Sequence, residues 1–368
     1  MRQARVSRIA MRAPDDVGGI RAAIAAGTID PHRIVAIFAK TEGNGCVNDF
    51  TRAFAAQSLR LMLGELVGAE AAAGVALVMS GGTEGALAPH WLVFEVAQDA
   101  AAAAAPARDG ALAVGTHLTR AMAPEEIGRR AQVETVAEGT RAAMEAAAIA
   151  DPADVHFVQV KCPLLTAERV ADAARRGTPV RTDQTLKSMG FSRGAAALGV
   201  GFALGEIAAD ALRDEARIGT DTSLFSGRAS TSAGVELMVN EITVLGRSAD
   251  WGGPLTIEHA VMGDALDTPP VLAALGRAGL AATAPLPAAD SARVVAVLAK
   301  AEPSSSGMLR GHRHTMLDDS DISPTRHARA FTGGVLAGIF GHGELFVSGG
   351  AEHQGPDGGG PVAVIVRR

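Results

Sequence analysis

The sequence predicts an α/β protein of three homologous repeats, set with pseudo-threefold symmetry around a central site, sheets inside and helices outside. Three observations predict it. An apolar, partly β-branched run ending in lysine occurs three times, as Ile34 to Lys40, Val155 to Lys161 and Val294 to Lys300, with the lysines 121 and 139 residues apart. After each lysine an arginine stands by an Ala/Gly-rich helical run: Arg52, Arg193 and Arg326. A serine among small residues then follows: Ser80, Ser232 and Ser348. The order Lys, Arg, Ser holds while the gaps vary: 12, 32 and 26 residues to the arginine, 40, 71 and 48 to the serine. Divergent repeats carrying loop insertions leave that pattern.

In chain order, Ser7 to Met11 reads as a strand and Asp15 to Ala26 as a helix stopped by Gly27. The strand to Lys40 is closed by the turn Thr41-Glu42-Gly43-Asn44-Gly45, and a helix runs from Arg52 to Leu66. A strand to Ser80 and a loop to Gly85 complete the first unit, residues 1–104. Asp99 to Gly110, rich in alanine, reads as a frayed helix or a linker at the first boundary. The second unit, 111–248, takes a strand over Ala111 to Thr119, a helix from Pro124 to Ile149, the Lys161 strand and a helix from Thr166 to Arg176. Arg193 opens a helix to Ala208, Asp214 to Ala229 is a polar insertion, Glu236 to Leu245 is a strand, and Gly246 to Pro254 is a second linker. The third unit, 254–368, takes a strand from Leu255 to His259, a helix from Thr268 to Gly279, the Lys300 strand, a glycine-dense tail and a final strand, Val362 to Val366. Each unit thus reads β-α-β-α-β, and helices packed on a sheet three times over suit a pseudo-threefold arrangement.

Composition narrows the function. At 368 residues the chain can bury a large core, and with 48% hydrophobic but only 4% aromatic residues that core is aliphatic. A net charge of −6 without a dense basic run argues against nucleic acid or an anionic membrane as partner. The longest apolar stretch, Gly194 to Gly205, is shorter than the ~20 residues a membrane helix needs. No apolar segment follows Arg2 and Arg5 as in a secretory signal, and two cysteines make no disulfide framework, so a cytoplasmic protein is expected. With no tyrosine, no phenol serves as catalytic acid.

Three lysines, three arginines and three serines around one axis would line a cationic cavity rich in donors. It suits a small, flat ring carrying carbonyl oxygens, which the planar arginine fork matches. Serine becomes a nucleophile when a base takes its proton, and burial among other cations turns lysine into such a base. Acyl transfer follows, with N–H and arginine groups on the oxyanion.

Beyond this chemistry, the chain resembles the cyanuric acid hydrolase/barbiturase family of ring-opening cyclic amidases, and the cyanuric acid hydrolase branch more closely. The stretches that carry the resemblance are Lys40 to Gly45, Val78 to Gly85, Val158 to Leu164, Ser188 to Gly194, His314 to Leu317 and Ser348 to Pro356. The resemblance implies three Ser–Lys pairs: Lys40 with Ser80, Lys161 with Ser232 and Lys300 with Ser348. It makes Ser232 the nucleophile and Lys161 its base. It makes Arg52, Arg193 and Arg326 substrate clamps, with Ser80-Gly81, Ser232-Ala233 and Ser348-Gly349 completing the binding shell together with Lys40 and Lys300. The implied reaction opens cyanuric acid to carboxybiuret, which decarboxylates to biuret, with no cofactor in the chemistry. A structural Mg²⁺ or Ca²⁺ is implied at Glu302 and the loop groups of Ala351, Gln354, Gly355, Pro356 and Gly359, and so is a homotetramer.

Other readings compete. Strand-end lysines commonly face water, and the arginines could be interface ion pairs. Ser230 rivals Ser232, and only the resemblance selects between them. Cys162 points away from Lys161 on a strand and reads as a small buried residue. His312, His314 and His353 lack the spacing of a closed zinc site, and Glu352 reads as a loop carboxylate. Barbiturase activity, tuned near Ile322 and Ser323, is one functional alternative; a non-catalytic binder of anionic ring metabolites and a metal-dependent hydrolase are others.

Overall fold

The computed structural model describes residues 1–98 and 110–368. The first predicted boundary, within Asp99 to Gly110, lies outside the described residues except for Gly110 itself.

The chain opens with β1 (Arg2–Ala10), α1 (Gly18–Ala25), β2 (Ile34–Thr41), α2 (Phe50–Val67), α3 (Ala69–Ala73), β3 (Ala76–Gly81) and β4 (His90–Ala97). There follow β5 (Ala111–Leu118), α4 (Arg130–Ala146), β6 (Val155–Pro163), α5 (Ala167–Arg175), α6 (Thr185–Ala203), β7 (Ala229–Gly234), β8 (Glu241–Ser248) and the short β9 (Trp251–Gly252). The last stretch holds β10 (Leu255–Met262), α7 (Pro269–Arg277), α8 (Ala288–Ser291), β11 (Val294–Ala301), the hairpin β12 (Met308–Leu309) and β13 (His312–Arg313), α9 (Pro324–Phe340), β14 (Phe346–Gly349) and β15 (Gly360–Arg367).

Three sheets repeat one topology: β3-β2-β4-β1, β7-β6-β8-β5 and β14-β11-β15-β10. In each, the lysine strand pairs in parallel with the serine strand and antiparallel with the unit's last strand. Even an irregularity recurs, because the register slips just after Ile34, Val155 and Val294, each six residues before its lysine. The fold is therefore α/β, built three times on one sheet plan.

Strand alternation explains where the polar residues go. On β2, Ala36 and Phe38 join the central apolar cluster while Ile37 and Ala39 face the layer of α1 and α2. On β11, Ala296 and Leu298 face the centre while Val297 and Ala299 face the layer of α7 and α9. Phe38 ties the units together, its ring 4.7 Å from Phe94 and 5.6 Å from Phe346. Lys40 and Lys300, two residues beyond Phe38 and Leu298, keep the inward direction, as Ser80 and Ser348 do beyond Val78 and Phe346.

Several expectations need correction. The sequence reading missed β4 altogether. Its residues are buried on both faces apart from the half-buried Val96, so no apolar–polar alternation advertised a strand. The helix expected over Pro124 to Ile149 is a 3₁₀ turn at Pro124–Glu126 followed by α4, separated at Gly128, whose φ of +74° breaks the helix. Arg193 does not open its helix but sits in the middle of α6. The strand expected from Glu236 begins at Glu241 instead. The supposed linker Gly246 to Pro254 finishes β8 and then forms β9, which runs parallel to β1 in the first sheet; its buried Trp251 donates Nε1–H to Ala147 O at 2.6 Å.

Candidate active site

The three Lys–Ser pairs are register partners in the parallel strand pairs: Lys40 with Ser80, Lys161 with Ser232 and Lys300 with Ser348. Register partners in a sheet share a face, so each lysine stands beside its own serine. All three lysines are fully or almost fully buried. Lys40 Nζ lies 3.3 Å from Ser80 Oγ, and Lys300 Nζ 3.3 Å from Ser348 Oγ. Lys161 Nζ makes no such bond. Ser232 Oγ instead accepts from Gln159 Nε2 at 3.4 Å, and Lys161 Nζ sits 2.9 Å from Glu236 Oε1.

Each lysine also reaches into a neighbouring unit. Lys40 donates to Val347 O at 2.8 Å, Lys161 to Met79 O at 2.9 Å and Lys300 to Thr231 O at 2.9 Å. These carbonyls belong to the residues just before Ser348, Ser80 and Ser232, so the amines lock the three serine strands into a ring. Burial drives all three amines below the ordinary lysine range. Arg329 pushes Lys40 further, Arg193 helps bring Lys300 to about 7, and Glu236 works against the fall at Lys161.

The arginines come from α2, α6 and α9. Asp49 caps α2, accepting from Thr51 N at 3.1 Å, and sets Arg52 in the first turn. Arg52 is buried and donates to Cys46 O at 2.7 Å and to Ala233 O at 3.4 Å. Arg193 forms a two-pronged pair with Glu352 at 2.8 and 2.7 Å. The third arginine is a correction. Arg326 lies on the first turn of α9, its side chain 38% exposed and its Nε 3.4 Å from Glu84. One helical turn on, Arg329 is buried, grips Glu84 at 2.9 and 2.5 Å and faces the cavity. Against the cost of burial, Arg329 holds the Glu84 carboxyl below its ordinary range.

One polar cavity joins these groups. It is lined by Arg52, Ser80, Gly81, Arg193, Ser232 and Ala233, and by Ser348 and Gly349 from the third unit, with Arg329, Gly45 and Met189 completing the wall. The lysines stand behind the serines, spending their donors on hydroxyls, carbonyls or Glu236. Ser230 is fully buried and donates to Gln159 Oε1 at 2.7 Å, which leaves Ser232 as the middle serine on the cavity. Cys162 is fully buried, and burial pushes its thiol up to about 11.

Sequence reasoning missed Arg329 and the acids that face the arginines. Both left signals. The tripeptide Arg-Ala-Phe occurs at Arg52 and again at Arg329 but not at Arg326. A glutamate follows each serine by four residues: Glu84, Glu236 and Glu352. Glu352, read as a loop carboxylate, is the partner of Arg193.

Part of the expected cation shell converges. Glu302, Ala351, Gly355 and Pro356 line one cavity of about 220 Å³. Burial and the neighbouring Glu352 push the Glu302 carboxyl up, which is the environment a hard cation relieves. The Gln354 side chain is committed elsewhere, accepting from Thr231 N at 2.6 Å and donating to Gly350 O at 3.0 Å, so only its backbone is available. Neither Gln354 nor Gly359 lines that cavity.

Comparison with known proteins shows the family. Residues 5–367 match the family described as amidohydrolase ring-opening protein. A cyanuric acid amidohydrolase of Bradyrhizobium sp. (strain ORS 375) is 59% identical over 368 residues, covering 100% of this chain and 99% of its own. The crystal structure of a cyanuric acid hydrolase from A. caulinodans superposes with a TM-score of 0.91 at 58% identity, covering 100% and 99% of the two chains. A second cyanuric acid hydrolase structure, described as an evolutionary innovation by structural concatenation, superposes with a TM-score of 0.93 at 46% identity over 100% of both chains.

Proposed function

The chain belongs to the ring-opening amidohydrolase family, and we propose that it is a cyanuric acid amidohydrolase working through Ser232 and Lys161. One observation carries the reading: the serines of three Lys–Ser register pairs, from three copies of one sheet plan, line a single cavity with three arginines. Cyanuric acid has threefold symmetry and alternates carbonyl and N–H around a flat ring, so each unit can address one edge of it. Arg193 and Arg329 each use Nε and Nη2 on a glutamate, which leaves Nη1 for a ring oxygen.

In the proposed reaction, Ser232 Oγ attacks a ring carbonyl carbon as its proton passes to neutral Lys161 Nζ. The guanidinium nearest that carbonyl carries the oxyanion. The ring C–N bond then breaks, and the Lys161 ammonium returns the proton to the leaving ring nitrogen. Water cleaves the Ser232 ester and releases carboxybiuret, which loses carbon dioxide to give biuret. Ser80 and Ser348, hydrogen-bonded to Lys40 and Lys300, act as binding hydroxyls.

A structural Mg²⁺ or Ca²⁺ is proposed at Glu302 with backbone groups of Ala351, Gly355 and Pro356, where it would supply positive charge to the buried Glu302 carboxylate and tie the loop after Ser348 to β11. A homotetramer is proposed as well, to be read by light scattering.

The test is a mass-spectrometric time course with cyanuric acid and, separately, barbituric acid, using wild type and Ser232→Ala. Biuret from cyanuric acid, lost in a folded Ser232→Ala protein, is expected. Ureidomalonate from barbituric acid alone would make the protein a barbiturase. Saturable binding without product would make it a binder.

A further inference from the structure

The carboxylate four residues after each serine behaves differently in the middle unit. Glu84 grips Arg329 and Glu352 grips Arg193, each with two bonds across a unit boundary. By the same rule Glu236 would grip Arg52. Instead it lies 2.9 Å from Lys161 Nζ, with neither carboxylate oxygen otherwise bonded among the described residues, and Arg52 turns to the carbonyls of Cys46 and Ala233.

The backbone explains the difference. After Ser80 and Ser348 the chain passes through Gly82 and Gly350 with φ of +101° and +75°, and the guanidinium packs on each glycine: a Cβ there would lie 2.5 Å from Arg329 Nη2 or Arg193 Cζ. Gly234, the equivalent in the middle unit, is not left-handed, and Glu236 itself folds over it, 2.1 Å from where a Cβ would stand. The carboxylate is thereby turned toward the lysine. A second carboxylate, Glu241, stands opposite Lys161 in the antiparallel register, where the first unit has His90 opposite Lys40. Lys161, Glu236 and Glu241 also line a separate cavity of about 260 Å³ that Ser232 does not reach.

We propose that Glu236 is a positioning residue that assigns the role of base to Lys161: it holds the amine and stabilises the ammonium formed when Lys161 takes the Ser232 proton. The inference rests on the reading of Ser232 as nucleophile and Lys161 as base. Glu236 stays a carboxylate throughout; the proton moves from Ser232 Oγ to Lys161 Nζ and on to the ring nitrogen. Among the three lysines, Lys40 and Lys300 meet a guanidinium as their strongest charged neighbour, and Lys161 meets Glu236. The other groups facing this pair are Arg52 from α2, Cys162 beside Lys161 on β6, Arg169 from α5, Glu241 from β8 and, across the second cavity, Arg60 from α2.

The experiment is the pH profile of kcat and KM for Glu236→Gln, Glu236→Asp and Glu84→Gln, with Ser232→Ala alongside and circular dichroism on each. Removing the carboxylate makes Lys161 a weaker base, so Glu236→Gln shifts the acid limb of kcat to lower pH and lowers the plateau about tenfold to a hundredfold, at nearly constant KM. Glu236→Asp returns part of both. Glu84→Gln, which frees Arg329, acts on KM and leaves the limb in place. An unmoved limb in Glu236→Gln overturns the inference, as does an equal displacement in Glu84→Gln. If Glu236→Gln does not fold, an Asp variant with the wild-type limb and plateau overturns it. Turnover surviving in Ser232→Ala would instead sink the nucleophile reading beneath it.

Discussion

Lys300 Nζ lies 2.9 Å from the carbonyl oxygen of Thr231, the residue before Ser232. A lysine of the third sheet thus holds the strand that carries the proposed nucleophile of the second. With Lys40 on Val347 and Lys161 on Met79, the contacts close a ring through all three units. Chemistry at one serine is therefore built on the packing of the other two.

That ring carries a pH signature. The Lys300 amine, with burial first and Arg193 next, falls to about 7, against an ordinary value of 10.5. Between those values the unfolded chain holds a proton that the folded one does not, so the contribution of Lys300 to stability rises with pH from about 7 to about 10.5. Lys300→Met removes the slope. Its unfolding free energy relative to wild type should become less favourable with rising pH, by at most ~1.4 kcal/mol per pH unit. Urea titrations at pH 7, 8 and 9 read it, and a difference independent of pH would refute it.

The correction from Arg326 to Arg329 is tested by substituting each. Arg329→Ala removes both short bonds to the half-buried Glu84, leaving it the 3.4 Å contact with Arg326, and takes away a cavity wall, which should cost roughly 1–3 kcal/mol. Both stability and kcat/KM should fall. Arg326→Ala removes a partly exposed side chain and should stay within about 0.5 kcal/mol of wild type with little change in turnover. The reverse ranking would restore Arg326 to the site.

Cys162 adjoins the proposed base without sharing its chemistry. Its thiol is buried and raised to about 11, and its Sγ rests 3.5 Å from Ser232 O. Cys162→Ala should keep most of the activity. A thiol reagent at neutral pH should label native protein only at the half-buried Cys46, and both cysteines after unfolding. Rapid loss of activity with label on Cys162 in the native protein would contradict this.

The legible parts of this molecule were those that repeat locally. The runs ending in Lys40, Lys161 and Lys300 announced their strands, and the order Lys, Arg, Ser announced three copies. The parallel register that puts each lysine beside its serine is a tertiary property, inferred through resemblance and found in the sheets. What stayed hidden had no local pattern. β4 is buried on both faces and shows no alternation, and β9 is two residues that matter because β1 lies beside them. Arg326 and Arg329 share a helix; the Arg-Ala-Phe tripeptide singles out Arg329, but only the direction of α9 shows which of the two is buried on the cavity. The Ser-to-Glu spacing of four was visible three times over, but its meaning depends on which cation each carboxylate meets.

The residue after each serine gives a last test of unequal units. At Gly81 an added Cβ would stand 1.7 Å from Asp49 Oδ2, and at Gly349 it would stand 2.2 Å from Thr325 Cγ2 and 2.9 Å from Arg329 Nη1. Asp49 is the cap of α2 and also binds Gly45 N at 2.8 Å, so a methyl at 81 displaces the cap that sets Arg52. Loss of such a cap alone costs about 0.5–2 kcal/mol. In the middle unit the methyl is already present, since Ala233 is buried on the cavity wall. Gly81→Ala should therefore destabilise the protein and raise KM through a displaced Arg52. Ala233→Gly should cost only about 0.5–1 kcal/mol from added backbone freedom and leave KM near wild type. Urea unfolding with steady-state kinetics on both variants decides it. Equal tolerance at 81 and 233 would mean that Asp49 can move aside and that Gly81 is not needed to set Arg52.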